Sequence, residues 1–172
     1  MRKADSLRRW LTAFLPDLKT HPDRLQVYLE GGQVGARRSA TLSFAYTYTV
    51  RALITDFAGD TDTIMVAVLA WIEKEQPQLL QASDGKPFQF EAELLDSETY
   101  DIELSIDLTE PVLVIPRADG SGYDVTHPEE PAFPPMFDGV TASFLQGFGN
   151  VQLLAETTDP DAVLTPAIPP SA

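Results

Sequence analysis

Leu42-Ser43-Phe44-Ala45-Tyr46-Thr47-Tyr48-Thr49-Val50-Arg51-Ala52-Leu53-Ile54, then Ala58-Gly59-Asp60 and the run from Thr61 to Pro77, is the stretch that decides the fold. The even positions Leu42, Phe44, Tyr46, Tyr48, Val50, Ala52 and Ile54 are apolar or aromatic. Ser43, Ala45, Thr47, Thr49 and Arg51 between them are small or polar. A period of two with aromatic and β-branched residues predicts a long, half-buried strand. Ala58-Gly59-Asp60 predicts a turn, and Asp60 or Thr61 supplies a side-chain oxygen to cap the N–H groups of a following helix. Ile64 to Ile72 is apolar at almost every position, so that helix must be covered on nearly every side. Pro77 ends it after the polar Glu73-Lys74-Glu75-Gln76.

Working outward, Leu25, Val27 and Leu29 alternate with Gln26, Tyr28 and Glu30 and predict a second strand. Gly31, Gly32 and Gly35 then predict a hairpin turn or bulge, since their spacing is wrong for a phosphate loop and no helix follows. Upstream, Leu7, Trp10, Leu11, Phe14 and Leu15 recur at helical spacing, with Asp5 or Ser6 as the expected cap and Pro16 as the stop. Thr20-His21-Pro22-Asp23 has turn chemistry, and His21 has no neighbour that would make it a ligand.

Downstream, Phe88, Phe90, Ala92 and Leu94 alternate with Gln89, Glu91 and Glu93. Tyr100, Ile102, Leu104, Ile106 and Leu108 alternate with Asp101, Glu103, Ser105, Asp107 and Thr109. Asp96 to Thr99 joins the two as a hairpin. Glu91, Glu93, Asp101, Glu103 and Asp107 therefore share one face. That face reads as a solvated surface, as a contact for a basic partner or, less readily, as a divalent-cation site. A catalytic carboxylate pair is weaker still, because no apolar pocket, nucleophile or partner base accompanies it. Val112 to Ile115, between Pro111 and Pro116, predicts a separate short strand at an edge.

The chain has 172 residues, no cysteine, and a net charge of −14 that is unevenly spread. Residues 1–38 carry +4, residues 39–117 carry −10 and residues 118–172 carry −8 with no Lys or Arg. Thiol catalysis and disulfides are excluded, and bulk charge argues against nucleic-acid binding. No apolar run reaches bilayer length, so neither a membrane span nor a signal peptide is expected. A basic head on an acidic body suggests association with copies of itself or with another protein. From Thr126 eight prolines preclude an independent domain, yet Phe133, Phe137, Phe144 and Phe148 are too apolar for an idle linker. The expected organisation is a domain over residues 1–125 and an acidic, Pro-rich arm over residues 126–172 that packs on neighbouring subunits.

Several stretches resemble the R-type tail completion proteins of temperate contractile-tailed phages, a family also carried by tailocin clusters. They are Asp5-Ser6-Leu7-Arg8-Arg9, Leu18-Lys19-Thr20 with Pro22-Asp23, Ile54-Thr55-Asp56-Phe57-Ala58-Gly59-Asp60, Val68-Leu69-Ala70-Trp71 with Gln76-Pro77, Asp101-Ile102 and Leu108-Thr109-Glu110. The resemblance covers residues 1 to about 124 in order, and the arm is the departure from it. It implies a structural protein of the virion or tailocin, assembled in the host cytoplasm, with no enzyme activity and no cofactor. It would form a ring, expected to be a hexamer, on the last tube and sheath ring, and offer a platform to a head connector or collar.

The fold expected from pattern and resemblance together is α+β: a mixed, mainly antiparallel sheet with two helices on one face, plus the extended arm. The subunit contact is expected between Arg8, Arg9, Arg37 or Arg38 and the acidic face, and the arm is expected to dock through its four phenylalanines. The competing reading is an assembly chaperone or adaptor that is absent from the finished particle and binds by strand addition. An enzyme is disfavoured by two isolated histidines and the lack of a phosphate loop or nucleophile elbow.

Overall fold

The computed structural model describes residues 1–95 and 99–130, and the backbone of two strands beyond them. The chain forms α1 (Arg2–Phe14), α2 (Pro16–Thr20), β1 (Leu25–Ala36), β2 (Phe44–Phe57), α3 (Thr61–Glu75), β3 (Gln89–Leu94), β4 (Tyr100–Pro116) and β5 (Tyr123–Thr126). β6 (Ser143–Gln146) and β7 (Leu153–Thr157) pair as a separate hairpin. The main sheet has the order β1-β2-β4-β3, with β5 added to β4, and every ladder is antiparallel. This is the expected α+β arrangement.

The deciding stretch folds as its pattern predicts. Tyr48, Val50, Ala52 and Ile54 are buried on one face of β2, and Ile102, Leu104, Ile106 and Leu108 line up beside them on β4. α3 lies across that face with Ile64, Val68, Trp71 and Ile72 fully buried. Asp60 caps it, its carboxylate accepting the Asp62 N–H at 2.9 Å. The turn before it is tight: a Cβ on Gly59 would stand 2.6 Å from the Phe57 ring. α1 packs beside α3 through Leu7, Trp10, Leu11 and Phe14. The Trp10 indole N–H donates to the Ala67 carbonyl at 2.9 Å, and that of Trp71 to the Ser6 hydroxyl at 3.2 Å. Each large ring therefore buries its apolar body and still satisfies its donor.

Three expectations change and one is narrowed. α1 begins at Arg2 rather than at Asp5 or Ser6, because Lys3 is itself buried and holds the first turn down. Pro16 ends α1 but also opens α2, occupying the first position, where its missing N–H costs nothing. Of the turn or bulge expected at Gly31 and Gly32, it is the bulge that forms. Gly31, at φ +71°, forms a bulge, and β1 continues to Ala36. Val112 to Ile115 is no separate edge strand but the far end of the 17-residue β4.

The reason Pro111 is tolerated inside β4 lies in which way its neighbours point. Thr109 N–H and C=O bond to Gln76 and Lys3, away from β2, whereas Val114 N–H reaches Ser43 beside the start of β2. By the two-residue period of a strand, the missing N–H of Pro111 also faces away from β2, so the ladder loses no bond. On that outer side β3 covers β4 only as far as Ser105, and β5 begins at Leu113. Between them β4 has no strand partner.

Candidate functional site

Two polar regions stand out, one at the outer face of the sheet and one in the gap along β4. On the outer face Glu91 sits directly opposite Glu103, and Glu93 opposite Asp101. Like charges in register repel, so something outside the ladder has to offset them. Part of the compensation comes from β2. Arg51 contacts Glu30 at 2.5 Å and Glu103 at 3.6 Å, while the Tyr28 hydroxyl donates to Glu103 at 2.6 Å. That bond raises the pKa of Tyr28, chiefly because ionising the phenol would face a carboxylate. Asp101 accepts the backbone N–H of Asp56 at 3.0 Å, holding a bulge where Asp56 adopts φ +52°. Asp107 accepts from the Thr49 hydroxyl at 2.5 Å. Glu91 and Glu93 find no cation among the described residues.

The five carboxylates expected to share a face therefore do so. The arginines expected to meet them lie elsewhere. Arg8 and Arg9 are on α1, across the sheet, and Arg8 donates to the Val27 carbonyl at 3.1 Å on the rim of β1. Arg37 and Arg38 are exposed just past the end of β1. Within one chain none of the four contacts Glu91 or Glu93. Phe133, Phe137 and Phe148 lie outside the described residues, as does the side chain of Phe144. Among the described residues no group of three or more His, Asp or Glu could hold a metal ion. No helix among them is long and apolar enough to cross a membrane.

The second region contains residues that sequence reasoning missed. Glu110 is 3% exposed on the core face of β4, between Leu108 and Val112. It accepts the Arg2 backbone N–H at 3.0 Å and the Tyr48 hydroxyl at 2.7 Å, and His127 Nδ1 lies 3.1 Å away. Burial alone would raise its pKa. The Arg2 N–H, the Tyr48 hydroxyl, the terminal ammonium and His127 outweigh burial and hold the carboxyl below the usual range. For Tyr48, burial and the bond to Glu110 both act in the same direction and push the hydroxyl far above its usual value.

Lys3 fills the gap beside it. Its ammonium donates to Gln76 Oε1 at 2.6 Å, to the Thr109 carbonyl at 2.8 Å and to Glu130 at 2.5 Å, so all three donors are used. Gln76 Oε1 also accepts the Thr109 N–H at 3.2 Å. Two side chains thus satisfy both backbone groups of Thr109 within the stretch of β4 that no strand covers. Glu130 is further fixed by Gln78 at 2.9 Å. Residues 127–130 fall on the arm side of the expected boundary, and they are bound to the domain. An open cleft of about 380 Å³ remains over this seam, lined by Arg2, Lys3, Glu75, Glu110, His127 and Glu130 among others. Ser6, the hydroxyl that lines it, is engaged: it donates to Glu75 at 2.9 Å and accepts from Trp71. The arrangement ties chain segments together rather than activating a nucleophile.

A signal for Glu110 was present, since the apolar even positions 102 to 108 continue through 110 to Val112 and Val114. Nothing local marks Lys3, whose partners lie 73, 106 and 127 residues away.

Comparison with known proteins places these features in a lineage. No solved structure matches the chain. The "Tail completion protein R" of Escherichia phage P2 is 39% identical over 142 residues, covering 79% of this chain and 91% of that protein. The family described as P2 phage tail completion protein R (GpR) matches residues 1–131, which spans the sheet, both long helices and the Lys3–Glu130 tie. The match covers well over half of the chain, and the chain belongs to the P2 phage tail completion protein R family.

Proposed function

We propose that the protein is a structural, non-catalytic component that completes a contractile phage tail or tailocin. Copies form a ring, six-fold in this reading, on the last tube and sheath ring and present a platform to a head connector or collar. One observation carries the reading. Glu91 and Glu93 lie on β3 at one rim of the sheet and the exposed Arg37 and Arg38 follow β1 at the other, so these charges can neutralise each other only between copies. The apolar arm would clasp the neighbouring subunit or the sheath, and the finished protein would reside in the particle after assembly in the host cytoplasm.

Native mass spectrometry and negative-stain microscopy of the purified protein test this, with a closed ring as the expected result. The ring should weaken with added salt, since exposed charges are screened over about 10 Å at 0.1 M. The Arg37→Glu/Arg38→Glu variant should mimic the salt while its subunit melts as wild type. A ring indifferent to both would remove the electrostatic contact, and a monomer at all concentrations would remove the ring. The second reading, an assembly adaptor, is favoured by the open rim of β1, to which an extended peptide could add. Particle stoichiometry separates the two, because an adaptor is absent from the finished tail.

A further inference from the structure

Both rims of the main sheet are open, and they match. β1 is 12 residues long and contains no Lys, Arg or Pro, the residues that usually guard an exposed rim. Its first half is guarded by Arg8, which occupies the Val27 carbonyl. Beyond the Gly31 bulge nothing among the described residues covers it. There Val34 pairs with Tyr46 on the helix side of the sheet, yet it is 62% exposed because neither helix reaches that far. At the opposite rim β3 has six residues. Phe90 and Leu94, paired with Leu104 and Tyr100, also lie on the helix side and are 56% and 58% exposed. On the outer side the charges are complementary. Glu91 and Glu93 project from β3, and the alternation that puts Val34 on the helix side carries Arg37 to the outer side.

Strand direction supplies the remaining condition. Successive neighbours in the order β1-β2-β4-β3 are antiparallel, so β1 and β3 run in opposite directions. When two copies lie side by side in the same orientation, β3 of one therefore meets β1 of the next antiparallel. That is a heterologous contact, the kind that repeats from copy to copy and gives a ring where its rotation closes.

We infer that copies join by strand addition, residues 32–36 of one chain pairing with β3 of the next. Setting Val34 opposite Ala92 brings Gly32 to Leu94 and Ala36 to Phe90, so the exposed apolar residues cover one another. In the same register Arg37 falls diagonal to Glu91 on the outer face, within reach of its long side chain. The inference rests on the ring reading and names its contact.

Because the chain has no cysteine, introduced thiols report this contact without background. Val34→Cys and Ala92→Cys both alter exposed positions. Mixed and oxidised, the two single variants should give a covalent dimer that neither gives alone. The double variant should give a ladder ending at the size of the ring seen by native mass spectrometry. Crosslinking of Val34→Cys with itself would overturn the inference in favour of a two-fold rim contact. A ring that forms but does not crosslink would overturn it while leaving the ring reading intact. Absence of any oligomer would remove both.

Discussion

Between Ile102 and Leu108 strand β4 is closed by hydrocarbon, and from Thr109 to Val114 it is closed largely by charge and hydrogen bonds. In the first stretch Ile102, Leu104, Ile106 and Leu108 belong to one buried apolar cluster with Trp71, Ile72, Leu7 and Leu11. In the second, Glu110 takes the corresponding inward position, while Lys3 and Gln76 serve the outer backbone groups of Thr109. Alkyl packing tolerates small errors of orientation, whereas a buried carboxylate requires each donor in place. The two halves of one strand should therefore fail differently when altered.

The largest effect is expected in the hydrocarbon half. Trp71→Ala should lose about 3–5 kcal/mol, because a fully buried indole leaves a cavity the surrounding side chains cannot fill. A denaturant midpoint close to wild type would show that α3 does not close this layer.

Glu110→Ala should cost about 2–4 kcal/mol by stranding the Arg2 N–H and the Tyr48 hydroxyl in a buried site. The pH dependence sharpens the contrast. Since the carboxyl is held below its usual range, its stabilisation is complete above the ordinary carboxylate value and is lost only as pH falls through the lower folded-state value. The gap in stability between wild type and Glu110→Gln should close on acidification, while Trp71→Ala should stay destabilised by the same amount. A pH-independent gap would mean that Glu110 acts by shape alone.

The smallest effect concerns the end of the domain. A chain ending at Glu130 keeps the Lys3–Glu130, Gln78–Glu130 and His127–Glu110 contacts. It should fold as stably as the full chain yet complete tails poorly if the arm docks on a neighbour. A chain ending at Val125 loses those contacts and should be about 1–3 kcal/mol less stable. Equal stability of the two would place the boundary at Val125, and full complementation by the first would make the arm dispensable.

The hydrocarbon half is the part that sequence makes legible. Period-two alternation from Phe44 to Ile54 and from Tyr100 to Leu108, with an all-apolar helix between, leaves few arrangements that bury every face. The acidic face was legible for the same reason, because side-chain direction in a strand follows from parity alone. Parity also placed Phe90 and Leu94 on the core side, but it could not tell that no helix extends over them. The charged seam was illegible because a buried lysine and a buried glutamate look like surface residues until their distant partners are known. Pro111 misled for a related reason: proline at an edge and proline facing a gap read alike.

That gap has a consequence for how copies could be arranged. Since Pro111 offers no N–H and the Thr109 N–H and C=O are held by Gln76 and Lys3, a visiting strand cannot pair along the full length of β4's outer side. The rim is divided into two short berths, one along β3 and one along β5, with a permanent break between them. A strand that adds at β3 finds only the six residues of β3 to pair with. A sheet built this way measures out, in the lengths of β3 and β5, how much strand can add at each part of that rim.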